Sequence, residues 1–221
     1  MNRQLITKPG ALQAPQLDYF LLDGSGSMIS NWQPTMAAMD NFCKVLASQN
    51  IHSHGILQVF SDFGNLSLIE RDAVLADWPP FYSSPISCPG GMTPLFDAIN
   101  LMCRALKELD PPKASIVICT DGDENASEHT GPAQARALLA WCRAKGWQVT
   151  FLGCNFDNAK QARLLGANEE NSIGVRKELL AEAGKLLGDK RARHARTDED
   201  INFSSDERRK FGGYLTGPTG A

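Results

Sequence analysis

Short apolar runs alternate along the chain with longer stretches in which apolar residues recur at helical spacing. Residues 17–22, 56–60, 115–119 and 149–153 are apolar or aromatic runs of strand length, the pattern of strands buried on both faces. Residues 66–69 form a fifth, shorter run. Between the runs, Trp32, Met36, Met39, Cys43 and Leu46 share one helix face, and so do Phe96, Ile99, Cys103 and Leu106. Thr93-Pro94 and Thr130 with Pro132 carry the chemistry of helix starts, while Gly146 and Gly166 sit where helices stop. Strands alternating with helices predict an α/β fold, doubly wound, with a mostly parallel central sheet covered on both faces. The step from 56–60 to 66–69 is too short for a crossover, so those two strands form an antiparallel hairpin at one edge.

Three segments fall outside this alternation. Residues 78–92 hold Pro79, Pro80, Pro85, Pro89, Gly90 and Gly91, so they form a long irregular surface loop, with Trp78, Phe81 and Tyr82 packing as a lid. Residues 1–16 read as an N-terminal extension and 17–188 as the domain. Beyond Gly188 the chain turns to mixed charge, and 189–221 reads as an appended tail. Within the tail, Ser204 and Glu207 have capping-box spacing and Gly212-Gly213 supplies a stop, which predicts a short helix. Ile201, Phe203, Phe211, Tyr214 and Leu215 suit docking, onto this domain, a partner or a second copy. On this division, truncation after Gly188 leaves the domain folded.

Composition narrows the function classes. The 221 residues are 43% apolar, enough for one full core, and 22 basic against 25 acidic residues give a net charge of -3. That balance supplies no field for nucleic acid or an anionic membrane. No apolar stretch reaches the length of a membrane span, and residues 1–18 are broken by Pro9, Gly10 and Pro15 before a secretory core forms, so a cytoplasmic location is expected. The six cysteines lack zinc-ribbon or Cys-x-x-Cys spacing, and four lie within apolar patterns, which favours reduced, buried thiols.

The chemistry gathers at strand ends. The first strand closes on Asp23-Gly24-Ser25-Gly26-Ser27, placing a carboxylate and two hydroxyls in one glycine-rich turn. Thr93 enters from the Pro-Gly loop, and Asp121 follows the 115–119 run. In doubly wound sheets, ligands bind beyond the carboxyl ends of the strands, where all three loops meet. Hard oxygen donors without His or Cys select Mg²⁺, Mn²⁺ or Ca²⁺, and two carboxylates with neutral hydroxyls leave an octahedral ion under-filled. An open position on such an ion would attract a carboxylate from another molecule.

Asp23-x-Ser25-x-Ser27, then Thr93 within Gly-Gly-Met-Thr-Pro-Leu-Phe-Asp-Ala-Ile, then Asp121 within Thr-Asp-Gly-Asp-Glu-Asn-Ala-Ser, resemble the metal-ion-dependent adhesion site of von Willebrand factor type A (VWA) domains. Residues 146–155 are similar to the corresponding strand of stand-alone bacterial and phage members, and the resemblance spans about residues 17–187. It implies a Rossmann-like fold and a bacterial or phage origin. It also implies a Mg²⁺ or Mn²⁺ site: Ser25, Ser27 and Thr93 touch the ion, and Asp23 and Asp121 act directly or through water. A partner protein would then add an Asp or Glu carboxylate. The contact rim would comprise Met28, Asn31, Trp32, Gly91, Met92, Asp123, Glu124 and Asn125. Because Asp123 and Glu124 would repel further acid, a basic residue beside the partner's carboxylate is expected to help.

Enzyme readings fit less well. Asp23 and Ser27 occupy the glycine positions of a serine-hydrolase elbow, and the phosphate-loop lysine and full Gly-x-Gly-x-x-Gly are missing. An EF-hand fails because Ala126 replaces its glycine and Pro132 its glutamate. The alternative to a binding module is a metal-dependent phosphatase or hydrolase with Asp23 as nucleophile, although Ser25 stands where such enzymes commonly place a second acid. The chain is expected not to be an enzyme.

Overall fold

The computed structural model describes residues 9–63, 67–81, 86, 89–156 and 158–212. Six strands form one sheet: β1 (Gln16–Asp23), β2 (His54–Phe60), β3 (Ser67–Val74), β4 (Lys113–Thr120), β5 (Gln148–Cys154) and β6 (Ser172–Val175), in the order β3-β2-β1-β4-β5-β6. All neighbours are parallel except β2 and β3, the antiparallel edge hairpin that the short connection requires. The expected start of β3, Leu66, lies outside the described residues. The strand itself runs on to Val74 through Glu70, Arg71 and Asp72, charges that suit an edge and break the apolar run.

The period of two along β1 divides the core. Leu17, Tyr19 and Leu21 face α2 (Leu95–Leu109) and α3 (Pro132–Ala144), whereas Phe20 and Leu22 face α1 (Trp32–Ser48) and α5 (Leu180–Thr197). Two shorter helices, α4 (Ala159–Leu164) and α6 (Ser205–Gly212), complete the set among the described residues. Trp78 and Phe81 pack as expected, at 5.9 Å between rings, with Trp78 also 5.9 Å from Phe20. Tyr82 lies outside the described residues. The five described cysteines are free, and no described helix is long and apolar enough to cross a membrane.

The expected boundary after Gly188 falls inside α5, which continues unbroken to Thr197. Physical chemistry favours continuation. Gly184 and Gly188 let α5 approach α1 closely: a Cβ on Gly184 would overlap the Ala38 backbone, and one on Gly188 would lie 2.9 Å from Val45 Cβ. Three residues past Gly188, the buried Arg191 Nε donates to Asp18 Oδ1 on β1 at 2.7 Å and its Nη2 to Gln16 Oε1 at 2.9 Å. Ile201, Phe203 and Phe211 are buried in the α1/α5 core. The tail therefore docks on its own chain as part of the domain. Its capping box forms as expected, Ser204 N–H donating to Glu207 Oε2 at 2.7 Å and Glu207 N–H to Ser204 Oγ at 3.1 Å. Gly213, Tyr214 and Leu215 lie outside the described residues.

Candidate functional site

The register of β1 against β4 pairs Leu22 with Cys119, so Asp23 and Thr120 end adjacent central strands together. Thr120 Oγ1 donates to Asp23 Oδ2 at 2.6 Å, and the Ser25 N–H donates to Asp23 Oδ1 at 2.8 Å. The turn that follows places Ser25 Oγ and Ser27 Oγ 3.0 Å apart. Ser27 Oγ donates to Asp121 Oδ1 at 2.6 Å across the cleft. Thr93 joins from the other side: a Cβ built on Gly122 would lie 3.8 Å from Ser27 Oγ and 4.0 Å from Thr93 Oγ1, so both hydroxyls border the same backbone. All five predicted donors thus meet beyond the carboxyl ends of β1 and β4.

Backbone bonds hold the loops in this arrangement. Gly26 N–H donates to Gly91 O at 2.8 Å and Gly90 N–H to Gly24 O at 2.8 Å, clamping the Pro-Gly loop onto the serine turn. Gly91 has φ +80, and a Cβ there would overlap the Asp62 carboxylate, which also accepts the Met92 N–H. Thr93 and Asn125 exchange bonds, Thr93 N–H to Asn125 Oδ1 at 2.8 Å and Asn125 N–H to Thr93 O at 3.1 Å.

Asp23 and Ser25 are buried, with Thr93 nearly so, whereas Ser27 is exposed and Asp121 partly so. Burial pushes the Asp23 carboxyl up to about 6; the Thr120 hydroxyl and Ser25 oppose this, and the nearby Asp121 charge adds to it. Among the described residues neither carboxylate has a basic partner. No three described His, Cys, Asp or Glu side chains form a group able to hold a metal, so an ion here would depend on the hydroxyls as well as the two acids. Hydroxyl and carboxylate oxygens with uncompensated negative charge fit a hard divalent cation.

The rim differs from expectation at three positions. Met28 is wholly buried in the α1/α5 core, where an unbranched apolar side chain gains most, so it offers no contact surface. Asn31 is also buried, donating from Nδ2 to Asp121 Oδ2 at 2.9 Å and to Cys154 O at 3.2 Å; it positions Asp121. Glu124 turns inward. Its carboxylate accepts Phe96 N–H at 2.8 Å at the start of α2, Ala126 N–H at 2.9 Å, and the Ser127 N–H and hydroxyl, both at 2.7 Å. Trp32 is half-buried against the core, leaving Gly91, Met92, Asp123 and Asn125 exposed. Sequence spacing could not reveal the partners of Asn31 or the bond from Phe96 to Glu124, which are distant along the chain.

No family model and no curated relative matches the chain. Solved structures do. The von Willebrand domain of the type V pili tip protein Mfa5 from Porphyromonas gingivalis aligns at TM-score 0.63 and 10% identity, covering 86% of this chain and 99% of that one. The VWA domain of SpRpn10 aligns at 0.53 and 16%, covering 76% and 92%. The pilus adhesin SpaC from Lactobacillus rhamnosus GG aligns at 0.61 and 14% over 85% of this chain, which spans only 31% of SpaC. At these identities the likeness is one of fold: the chain has a VWA-like α/β fold.

Proposed function

We propose that this chain is a divalent-cation-dependent protein-binding module, with Mg²⁺ or Mn²⁺ held by Ser25, Ser27 and Thr93 and by the charges of Asp23 and Asp121. The carrying observation is the convergence of three hydroxyls and two unpaired carboxylates, from three loops, at the ends of the central strands. When bound, the ion supplies a Lewis-acidic position that can accept an Asp or Glu carboxylate from a partner protein. The chain's residues preset that position: Asp23 lies buried behind the hydroxyls, Asn31 and Ser27 aim Asp121, and the 90–91 clamp fixes Thr93. The VWA-like neighbours, an adhesin and a pilus tip protein among them, support an interaction role.

The module is not an enzyme on this reading. Both Asp23 oxygens already accept hydrogen bonds and the side chain is fully buried, poor circumstances for a nucleophile that must reach a phosphate ester. The segments 23–31, 89–93 and 121–125, which hold several acids and no Lys, Arg or His, also disfavour nucleic acid and anionic lipid. A reducing, cytoplasmic compartment suits the thiols: Cys103 Sγ and Cys142 Sγ stand 3.7 Å apart, hydrogen-bonded and not joined as a disulfide.

Titration calorimetry tests the ion, with one Mg²⁺ or Mn²⁺ site expected in the wild type and none in Asp23→Ala or in Ser25→Ala with Ser27→Ala, circular dichroism being unchanged. Capture from the native host with Mg²⁺ or EDTA tests the module. Binding that persists in EDTA or in Thr93→Ala would refute it, and phosphate-ester turnover abolished by Asp23→Asn would favour the hydrolase.

A further inference from the structure

Four large apolar side chains stand out among the described residues: Ile29, Phe63, Met92 and Leu164, at 66%, 71%, 47% and 49% exposure. Isolated exposed apolar residues are ordinary, but three of these four border one site. Ile29 lies two residues beyond Ser27 in the single turn Gly26–Ser30. Met92 immediately precedes Thr93. Phe63 packs on the Pro-Gly loop, its ring 3.6 Å from where a Cβ on Gly90 would lie. The backbone bonds joining 24 to 90, 26 to 91 and 62 to 92 tie all three segments together, so the apolar groups are displayed on a fixed frame.

The charge of this face is turned inward. Residues 23–31, 61–63, 89–93 and 121–125 hold five acids and no Lys, Arg or His. Two are taken up by neighbouring donors, Asp62 by the Met92 N–H and Glu124 by Phe96, Ala126 and Ser127, and two, Asp23 and Asp121, face the ion position, where a bound cation would balance their charge. Asp123 alone among the five is exposed. A basic group beside the incoming carboxylate would therefore meet few free acids, contrary to what the sequence suggests, whereas apolar groups would meet Ile29, Phe63 and Met92.

We infer that this rim selects a partner segment whose acidic residue is flanked by large aliphatic or aromatic side chains. The inference rests on the cation-dependent reading above. The anchoring carboxylate satisfies the charged centre, and the flanking side chains bury the three exposed groups, the usual division between a polar anchor and an apolar contact.

Selection of displayed short random peptides against the full chain tests this, in Mg²⁺ and in EDTA, for the wild type and for Ile29→Ser/Phe63→Ser/Met92→Ser. These positions are exposed, so the triple variant is expected to fold normally. In Mg²⁺ the wild type should enrich Asp or Glu with Leu, Ile, Phe or Met within two positions. The triple variant should keep the acid, lose the apolar preference, and bind the best wild-type peptide at least about tenfold more weakly. Acidic peptides without apolar flanks, bound equally by both proteins, would overturn this inference and leave the cation reading intact. Apolar peptides lacking an acid and insensitive to EDTA would overturn both. Enrichment of basic peptides, or no enrichment, would also overturn the rim assignment, and self-association of the wild type lost in the triple variant would assign the rim to a second copy instead.

Discussion

Asp23 is held where its charge is least comfortable, and replacing it by Asn separates what it does for the fold from what it does for a cation. Burial raises its carboxyl from an ordinary 3.8 to about 6. At about 1.4 kcal/mol per pH unit, ionising it in the fold costs up to about 3 kcal/mol at neutral pH. The sign is that of a raised folded pKa: the cost is absent below about pH 4, grows as pH rises through about 6, and is constant above. Asn fits the same bonds. Its Oδ1 can accept the Ser25 N–H, and its amide can donate to Thr120 Oγ1, whose own hydrogen can turn to Gly122 O at 3.1 Å. In metal-free buffer at neutral pH, Asp23→Asn should therefore be more stable than wild type by about 1–3 kcal/mol, and the gain should vanish near pH 4. In Mg²⁺ at about a thousand times its dissociation constant the order should reverse, since the ligand then adds about 4.1 kcal/mol to the wild type alone, more than the variant's metal-free advantage. Urea denaturation across pH, with and without Mg²⁺, measures both differences. A metal-free variant less stable than wild type, or a gain independent of pH, would refute the reasoning.

Three further outcomes follow from the packing. Truncation after Gly188 removes Arg191, Ile201, Phe203 and Phe211 from the core and strands Asp18 without its cation; the product should lack a cooperative thermal transition, and a folded truncation would show that the tail is dispensable. Gly184→Ala should cost at least about 2 kcal/mol in urea denaturation by forcing α5 away from Ala38, and a neutral result would place the helices further apart. Partial burial would raise the Glu207 carboxyl, but Lys190 at 2.9 Å and the Ser204 N–H hold it below the usual range; amide protection across α6, taken relative to the intrinsic exchange rate at each pH, should fall as pH falls through that lowered value, and Glu207→Gln should remove this loss of protection.

The central strands were legible because β1, β2, β4 and β5 are buried on both faces and read as mainly apolar runs. The convergence of Asp23, Ser25, Ser27 and Asp121 was legible for a related reason: an acid and hydroxyls directly after such a run must lie at a strand's carboxyl end. β6 escaped because Ser172-Ile-Gly-Val is too short to carry a pattern. The end of α5 escaped because Arg191 reads as solvated charge until Asp18, 173 positions away, is seen to neutralise it. Local spacing identifies what must be buried on its own account, and not what becomes buried through a distant partner.

The same limit explains the acids around the site, and it bears on how the site works. In sequence, Asp121 stands out by following a strand, whereas Asp62, Asp123 and Glu124 are indistinguishable loop charges. In the fold they divide: Glu124 and Asp62 are consumed by backbone N–H groups and set the loops, while Asp23 and Asp121 receive only side-chain hydroxyls, one amide and one N–H. Hydrogen bonds of the second kind orient a carboxylate without cancelling its charge, and the Asp121 charge nearby adds to the cost that burial sets on ionising Asp23. A basic side chain would remove that cost, yet among the described residues none forms an ion pair with Asp23 or Asp121. Retaining the cost keeps the position attractive to a divalent ion, which would relieve it, so the instability assigned to Asp23 and the proposed cation affinity have a single physical origin. Measured together in Asp23→Asn, the two must change in opposite directions; if they move in the same direction, the carboxylate serves the fold and the ion site lies elsewhere.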